Sequence, residues 1–549
     1  MMRKLNLQLM ELPLSTFDYV PDSGYSLLDD PRLIHVPRLW GTVRDPNNPY
    51  WMKPSARDFT VVQSWSRLDQ QTYRLTVPSN MLSRLGPGEL EAGDTFVLIT
   101  RDHGNNIFRV EDSQGFSLQD ITVYTSPGTT VLTYYSDEIT VNRLQVIRKP
   151  GSGRMMTTNA DGIHVQASRT GPVIENSVFE GLLDDAINLY SLPIVISRVM
   201  SDTEVEVAVG RLPRIGDLMQ AYDPVNGVIK GTAAILSVQP VSGLANRATI
   251  VLDRPVPNLK AGTDHKTADT LYNLNTSGSG FAIKNNIFRD SRRYGAFIKS
   301  RDGVIEGNRF YDMGGSAIAL NNDPDYPEGP IPGNVRIADN EADRVAYLKM
   351  HNNNAYNAAI VIRSQKLGSA LSNEPNVGNI SVENNRILHP PRHGIYIGGV
   401  NNATLTGNRI EAAGSDPVYT GVMTALNIES SRYINVYQTT IVDPRPELTA
   451  GIRIAGTASH MSTGQVNAML APGVPSVLDQ SDIVLAPQAV VFNTTSSGYT
   501  EEAGTWDLSG LKGYDGGVTR YSFSANAAAR CSVFTNFLAE QTNISGCPV

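Results

Sequence analysis

Three aspartates carry the chemistry this sequence offers most plainly. Asp161 opens the segment Asp161-Gly162-Ile163-His164, and Asp184-Asp185 opens Asp184-Asp185-Ala186-Ile187-Asn188. Asp161 and Asp185 are 24 residues apart (185 − 161), close to the period at which the surrounding sequence repeats. A structural repeat converts that distance along the chain into contact in space. Carboxyls held so close cannot all ionise cheaply, so at least one is expected to keep its proton. A protonated aspartic acid beside an ionised one is the pairing that glycosidic bond cleavage uses. The competing readings are turn-capping aspartates bonded to backbone amides, and a cation site such as one for Ca²⁺.

Short strands are the elements that must position these residues. The pattern apolar-x-x-Asn-x-apolar recurs at Ile139…Asn142…Leu144, Ile283…Asn286…Phe288, Ile305…Asn308…Phe310, Ile337…Asn340…Ala342, Val382…Asn385…Ile387 and Leu405…Asn408…Ile410. Looser copies are Phe116…Gln119…Ile121 and Ile174…Ser177…Phe179. Spacings of 23 (139 − 116), 22 (308 − 286) and 23 (408 − 385) cluster tightly. A second strand follows most copies, as in Gly162-Ile163-His164-Val165, Ala186-Ile187-Asn188-Leu189 and Ala317-Ile318-Ala319-Leu320. Short strands with small corner residues predict an all-β chain folded as a right-handed parallel β-helix. The Leu spacing of a leucine-rich repeat is absent. Coils of such a helix stack about 4.8 Å apart. Aligning Ile163 with Ile187 then makes Asp161 and Asp185 stacked neighbours, with Asp184 beside them. The repeated Asn is expected to sit in turns and bond up and down the stack.

The pattern divides the chain. Residues 1–191 read as the N-terminal part of the β-helix, with Met1–Met10 as a leading coil. A long excursion at about 26–100 contains Trp40, Trp51 and Trp65. Residues 192–270 lose the coil pattern and alternate apolar with polar, as in Thr203-Glu204-Val205-Glu206-Val207. Such alternation predicts an inserted antiparallel β-barrel or β-sheet module. Following directly on the aspartates, this module is expected to wall the same cleft. Residues 271–480 resume the β-helix, and 481–549 resemble the opening of a secreted accessory β-sandwich.

Composition narrows the class. A chain of 549 residues, 41% hydrophobic and 18% charged, can bury a large core and is neither disordered nor a coiled coil. The net charge of −8, without a basic run, excludes a nucleic-acid footprint. No stretch is apolar enough for a membrane span. The start, Met1-Met2-Arg3-Lys4, lacks an apolar signal core, so the chain is expected to be secreted or periplasmic with its signal peptide absent here. Cys531 and Cys547 could close a small loop in an oxidising compartment, or stand as unrelated thiols. No zinc-type cluster, P-loop, dinucleotide fingerprint or GxSxG motif occurs, so no metal or cofactor is called for. The expected partner is an oligosaccharide or polysaccharide, and the open ends of a solenoid favour a cap or a second copy.

The runs Thr158-Asn159-Ala160-Asp161-Gly162-Ile163-His164, Gly171-Pro172-Val173-Ile174-Glu175-Asn176 and Asp184-Asp185-Ala186-Ile187-Asn188 resemble glycoside hydrolase family 110. Tyr124-Thr125-Ser126-Pro127-Gly128 and Glu328-Gly329-Pro330 fit the same pattern, and the resemblance spans roughly residues 90–345. It implies an exo-acting, inverting α-galactosidase on a β-helix with an inserted barrel. It further implies that Asp161, Asp184 and Asp185 are catalytic and that His164, Asn188 and Glu328 contact sugar. More distantly the chain resembles the polygalacturonases of glycoside hydrolase family 28, but their Gly-His-Gly turn and Arg-Ile-Lys strand are absent.

Arg292 and Lys299, in Arg292-Arg293-Tyr294-Gly295-Ala296-Phe297-Ile298-Lys299, are candidates for binding an anionic or sulfated sugar. Two other functions remain open. One is a Ca²⁺-dependent polysaccharide lyase using Lys299 or Arg301 as base. The other is a non-catalytic carbohydrate-binding β-helix. His103 is a candidate cleft residue, and Trp40 with Trp51 a candidate sugar-stacking platform.

Overall fold

The computed structural model describes residues 16–31, 39–77, 88–100, 104–348, 355–390, 392–412 and 421–481, with short strands at 5–6, 504–507, 520–523, 532–535 and 542–545. Among the described residues there is no α-helix, only one short 3₁₀ turn at Leu274–Thr276. None is long and apolar enough to cross a membrane. Three parallel sheets of 11, 10 and 10 strands run the length of a β-helix. One coil visits them in turn: Ile163–Gln166 in sheet A, Val173–Glu175 in sheet B, Val178–Glu180 in sheet C. The chain then returns to sheet A at Ile187–Tyr190. Inward positions are apolar and stacked, with Ile163, Ile187, Ile318, Ile360 and Ile395 in one buried column. Outward positions such as His164 are free to carry chemistry.

Register places the aspartates. Ile163 pairs with Ile187, and the Gly162 amide donates to the Asp185 carbonyl at 2.9 Å. Asp161 and Asp185 thus hold the same position in adjacent coils. Gly162 follows because the corner is tight: a Cβ there would meet the Ala186 carbonyl oxygen at 2.5 Å.

The repeated asparagines form a buried ladder at the turn from sheet B to sheet C. Asn308 Nδ2 donates to Asn340 Oδ1 at 3.0 Å and to the Ile283 carbonyl at 2.9 Å. Asn286, Asn340 and Asn385 repeat that scheme. The preceding residue has positive φ, as at Asn285 (53°), Asp339 (55°) and Asn384 (52°), which explains the Asn and Asp found there. Ser177 takes over one coil earlier, its hydroxyl accepting from the Leu144 amide at 3.0 Å.

The two earliest copies of the repeat are out of register as read from sequence. Val141, not Ile139, pairs with Ile174 and with Leu118. The true copies are therefore Val141…Leu144…Val146 and Leu118…Ile121…Val123. A slip of two residues leaves the inside–outside alternation unchanged, so hydrophobic pattern alone cannot detect it.

Between sheet A and sheet B of one coil the chain builds a closed antiparallel barrel of six strands, from Ile194–Ser201 to Thr270–Asn273. It has its own apolar core, including Ile196, Val207, Ile235 and Ile250. The first described strand of the β-helix is Phe108–Glu111. Leu5–Asn6 pairs antiparallel with Thr16–Tyr19, so this strand is not a leading coil. Those strands, with Tyr73–Thr76 and Ser64–Arg67, form one antiparallel sheet. Thr60–Val62, Leu39–Arg44 and Thr95–Ile99 form a second, and together they enclose Phe17, Tyr73, Leu75 and Phe96. Of the expected accessory domain only four short strands are described, Gly504–Asp507 paired antiparallel with Arg520–Phe523 and Ser532–Thr535 with Thr542–Ser545; Cys531, Cys547 and His103 lie outside the described residues.

Candidate active site

The corner entering sheet A opens into a cavity of about 640 Å³. Asp161, Asp184 and Asp185 lie on its floor, and one carboxyl oxygen of each lies within 4.8 Å of the others. They are 7%, 8% and 5% exposed. His164 and Asn188 stand on the outward face of the same strands, in register with one another. Trp40, Phe59 and Val61 wall one side, and Asp323, Tyr326 and Glu328 another. The first wall belongs to the N-terminal antiparallel sheets. The second is a hairpin closed by mutual backbone bonds of Asp323 and Glu328 at 2.8 Å.

The barrel is not a wall of this cavity, against the expectation from sequence. It leaves the chain after the sheet A strand, whereas the aspartates precede that strand. A strand of four residues separates the two ends by about 13 Å. The barrel instead lines a second cleft with Tyr135, Asp137, Arg169 and Arg211, and it buttresses the hairpin. Tyr222 of the barrel accepts a bond from Asn322 Nδ2 at 3.2 Å, and Ser191 bridges to Gly329. A Cβ at Gly329 would meet Tyr272 Cε1 at 2.4 Å, so the hairpin seats directly on the barrel.

The aspartates differ in surroundings. Burial pushes the Asp185 carboxyl well above the usual range, and the neighbouring Asp184 pushes the same way; Arg293 opposes them. Asp185 Oδ1 accepts from the Tyr294 amide at 3.4 Å. Asp184 Oδ1 meets two guanidiniums, Arg292 Nη2 at 3.3 Å and Arg293 Nη1 at 3.4 Å. Positive charge on both sides suits a carboxylate there. Asp161 Oδ2 contacts His164 Nδ1 at 2.7 Å, and His164 Nε2 contacts the Tyr190 hydroxyl at 2.9 Å. Tyr190 in turn donates to Gln166 Oε1 at 3.1 Å. Because Tyr190 gives its proton to Gln166, Nε2 is the donor to Tyr190, and Nδ1 faces the Asp161 carboxyl.

Lys299 lies beneath the cavity and not in it. It is fully buried, with its ammonium on Asn188 Oδ1 at 2.8 Å and Glu328 Oε2 at 2.6 Å. It therefore positions those two side chains. Arg292 lines the cavity but is 3% exposed and ion-paired on both sides, to Asp184 and to Asp58 at 2.8 Å. Neither is placed to receive an anionic sugar. Arg301 stands in sheet B and donates to the Ile331 carbonyl at 3.4 Å, away from the cavity. Of the tryptophans, Trp40 lines the cavity, whereas Trp51 donates to Asp290 Oδ1 at 3.2 Å and lies under Arg344. The three aspartates could ligate a cation by distance, but Arg292 and Arg293 already meet Asp184, which disfavours one.

Sequence reasoning passed over Asp58, Phe59, Arg293, Phe297, Asp323 and Tyr326. Arg293 and Phe297 lay within a segment already singled out. The others sit on an antiparallel module and a hairpin outside the repeat.

A right-handed β-helix bearing a clustered-carboxylate cavity is the class that fold and geometry define. A family model described as "Right handed beta helix region" matches residues 273–463. The chain is similar to "Alpha-1,3-galactosidase B" of Akkermansia muciniphila, 28% identical over 43% of this chain and 30% of that protein. It is also similar to "Alpha-1,3-galactosidase A" of Bacteroides fragilis, 26% identical over 51% of this chain and 47% of that protein. The chain spans about a third to a half of the length of the curated relatives it matches. Among solved structures, an Azotobacter vinelandii mannuronan C-5 epimerase A-module aligns over 68% of this chain and 80% of that one, at 10% identity and a TM-score of 0.18.

Proposed function

We propose that this protein is a glycoside hydrolase of α-galactosidase type that removes a terminal α-linked galactose, or a closely related sugar, from a glycan. The observation that carries the reading is the aspartate trio, with burial pushing the Asp185 carboxyl above the usual range beside an Asp184 flanked by two guanidiniums. Asp185 is the general acid that protonates the departing glycosidic oxygen. Asp184 and Asp161 supply the negative charge that activates water and stabilises the oxocarbenium-like transition state. His164 orients Asp161, and Lys299 holds Asn188 and Glu328 toward the sugar. The name shared by the relatives supports galactose as the sugar and an α-1,3 bond as the linkage. Exo action on a chain end is what the family resemblance implies, with Trp40 and the hairpin lining the cavity. A secreted or periplasmic setting suits a glycan substrate.

Inversion, which the family resemblance implies, needs about 6.5–9.5 Å between acid and base carboxyls. The trio brings one oxygen of each carboxyl within 4.8 Å of the others, closer than that range, so inversion rests on the resemblance and not on this separation. Proton NMR of the first-formed anomer tests this: β-galactose marks inversion, α-galactose retention. The function itself is tested on α-galactosyl oligosaccharides with Asp184→Asn and Asp185→Asn. Loss of turnover in well-folded variants is expected, and full retained activity removes the assignment. An unsaturated product that disappears with chelator would instead establish the lyase reading.

A further inference from the structure

We infer that Asp58 is a positioning residue of this site: from the N-terminal antiparallel module it holds Arg292 and Arg293 against Asp184, completing the aspartate site from outside the β-helix. The inference rests on the proposed glycosidase reading and adds a residue and a module to it. Asp58 is 1% exposed, a depth at which a carboxylate requires a counter-charge. Its Oδ1 lies 2.8 Å from Arg292 Nη1, and its Oδ2 lies 3.9 Å from Arg293 Nε. Neither contact has the alignment of a hydrogen bond, so charge is what links them. The same two guanidiniums meet Asp184 Oδ1 on their other side.

The module fixes the orientation as well. Trp40 and Phe59 flank the Arg292 guanidinium, with ring centroids 5.1 Å and 5.8 Å from Cζ. The two rings pack edge to face at 5.5 Å. Arg292 Nε donates to the Leu183 carbonyl at 2.5 Å, immediately before Asp184. One arginine of the β-helix is thus gripped by Trp40, Asp58 and Phe59 of the module and by the backbone of the catalytic corner. The carboxylate–guanidinium–carboxylate arrangement is balanced: removing the Asp58 charge leaves surplus positive charge over the trio. The groups facing Asp185 are Asp184 and Asp161 from its own sheet, Arg293 and the Tyr294 amide from the next coil, Arg292 through Asp184, His164 through Asp161, and Lys299 from below. Surplus positive charge favours the ionised form of each carboxyl, so the general acid gives up its proton at lower pH.

The test is the pH profile of kcat/KM for the full chain acting on an α-1,3-linked galactobiose, with Asp58→Asn against wild type. The expected result is a kcat lower by about 10- to 100-fold, a smaller change in KM, and an alkaline limb displaced to lower pH. Thermal unfolding run alongside reports the fold. A uniform loss at every pH, in proportion to the folded fraction, overturns the inference, as does an unmoved limb. Should Asp58→Asn not fold, Arg293→Gln carries the test with the opposite sign: its alkaline limb must move to higher pH, and a stationary limb overturns the proposal. Failure of the underlying reading looks different. In that case Asp184→Asn and Asp185→Asn remain active, or wild type releases no galactose.

Discussion

Two parts of sheet A share one ladder and differ in what they carry. The position held by Asp161 and Asp185 continues through Tyr294, Ser316, Ala358, His393, Thr424 and Ala450 in later coils. The backbone pairing is the same throughout. At Asp185 a buried titratable group is left with carboxylate neighbours and a cavity in front of it. At His393 a buried titratable group is satisfied on both sides, by Thr424 Oγ1 at 2.9 Å and the Ala355 carbonyl at 3.1 Å. The ladder tolerates either. The cavity lies where residues of the N-terminal module and the 323–328 hairpin flank the sheet.

The sharpest way to break this comparison is Asp185→Asn. On the proposed reading this variant lacks the general acid, at a cost of about 10²–10⁴-fold in kcat, and a substrate with a good leaving group, such as a 4-nitrophenyl glycoside, should lose less. The stability effect has the opposite sign. A carboxyl whose folded pKa is raised contributes stability below its unfolded pKa, near 3.8, and that stability is lost as pH rises through the folded value. Asp185→Asn should therefore melt higher than wild type at pH 7, with the gap closing toward pH 4. Scanning calorimetry across that range checks the sign, and a lower melting temperature at pH 7 contradicts it.

Next in size is Gly329→Ala. The added methyl has no room against Tyr272, so the hairpin must shift and take Glu328 with it. We expect KM to rise about 10-fold, with kcat less affected and the fold intact. An unchanged KM would mean that the barrel does not set the position of Glu328.

How much of this was readable from residues alone follows from the two kinds of element. The repeat transmits register along the chain, so Asp161 and Asp185 could be stacked from the Ile163 and Ile187 alignment. The asparagine ladder could be anticipated for the same reason. Asp58 could not, because it lies on an antiparallel module whose contact with Arg292 spans more than 200 residues without any period. The barrel was misassigned to the cleft because adjacency in sequence does not say which end of a strand an insertion leaves from. The early repeats slipped by two because Val141 and Ile139 are equally apolar and equally inward by pattern.

A smaller effect, confined to stability, is expected at the ladder. In Asn340→Ala the Asn308 side chain and backbone amide lose the Oδ1 they donate to, and Asn385 Oδ1 loses one of its two donors, in a buried setting. An unsatisfied buried polar group costs about 1–3 kcal/mol. Urea unfolding should show that loss, while kcat/KM of the folded fraction stays at the wild-type value. A loss of activity without a loss of stability would give the ladder a role in chemistry that its distance from the trio does not support.

The smallest expected effect returns to His393, and it closes the contrast with Asp185 by sign. Burial, with Arg392 adding to it, lowers the imidazole to about 3. Its folded pKa lies below the unfolded value, so the unfolded chain binds the extra proton. Stability is then full above about pH 6.5 and is lost as pH falls toward the folded value. His393→Gln keeps a donor and an acceptor but removes the titration. It should cost about 1 kcal/mol at pH 8, and the deficit should shrink or reverse by pH 5, with turnover unchanged at every pH. Asp185→Asn and His393→Gln occupy one column of one sheet, yet the first gains stability toward neutral pH and the second toward acid. Parallel pH dependences in the two variants would mean that the coil position, and not the groups facing it, governs how these side chains titrate.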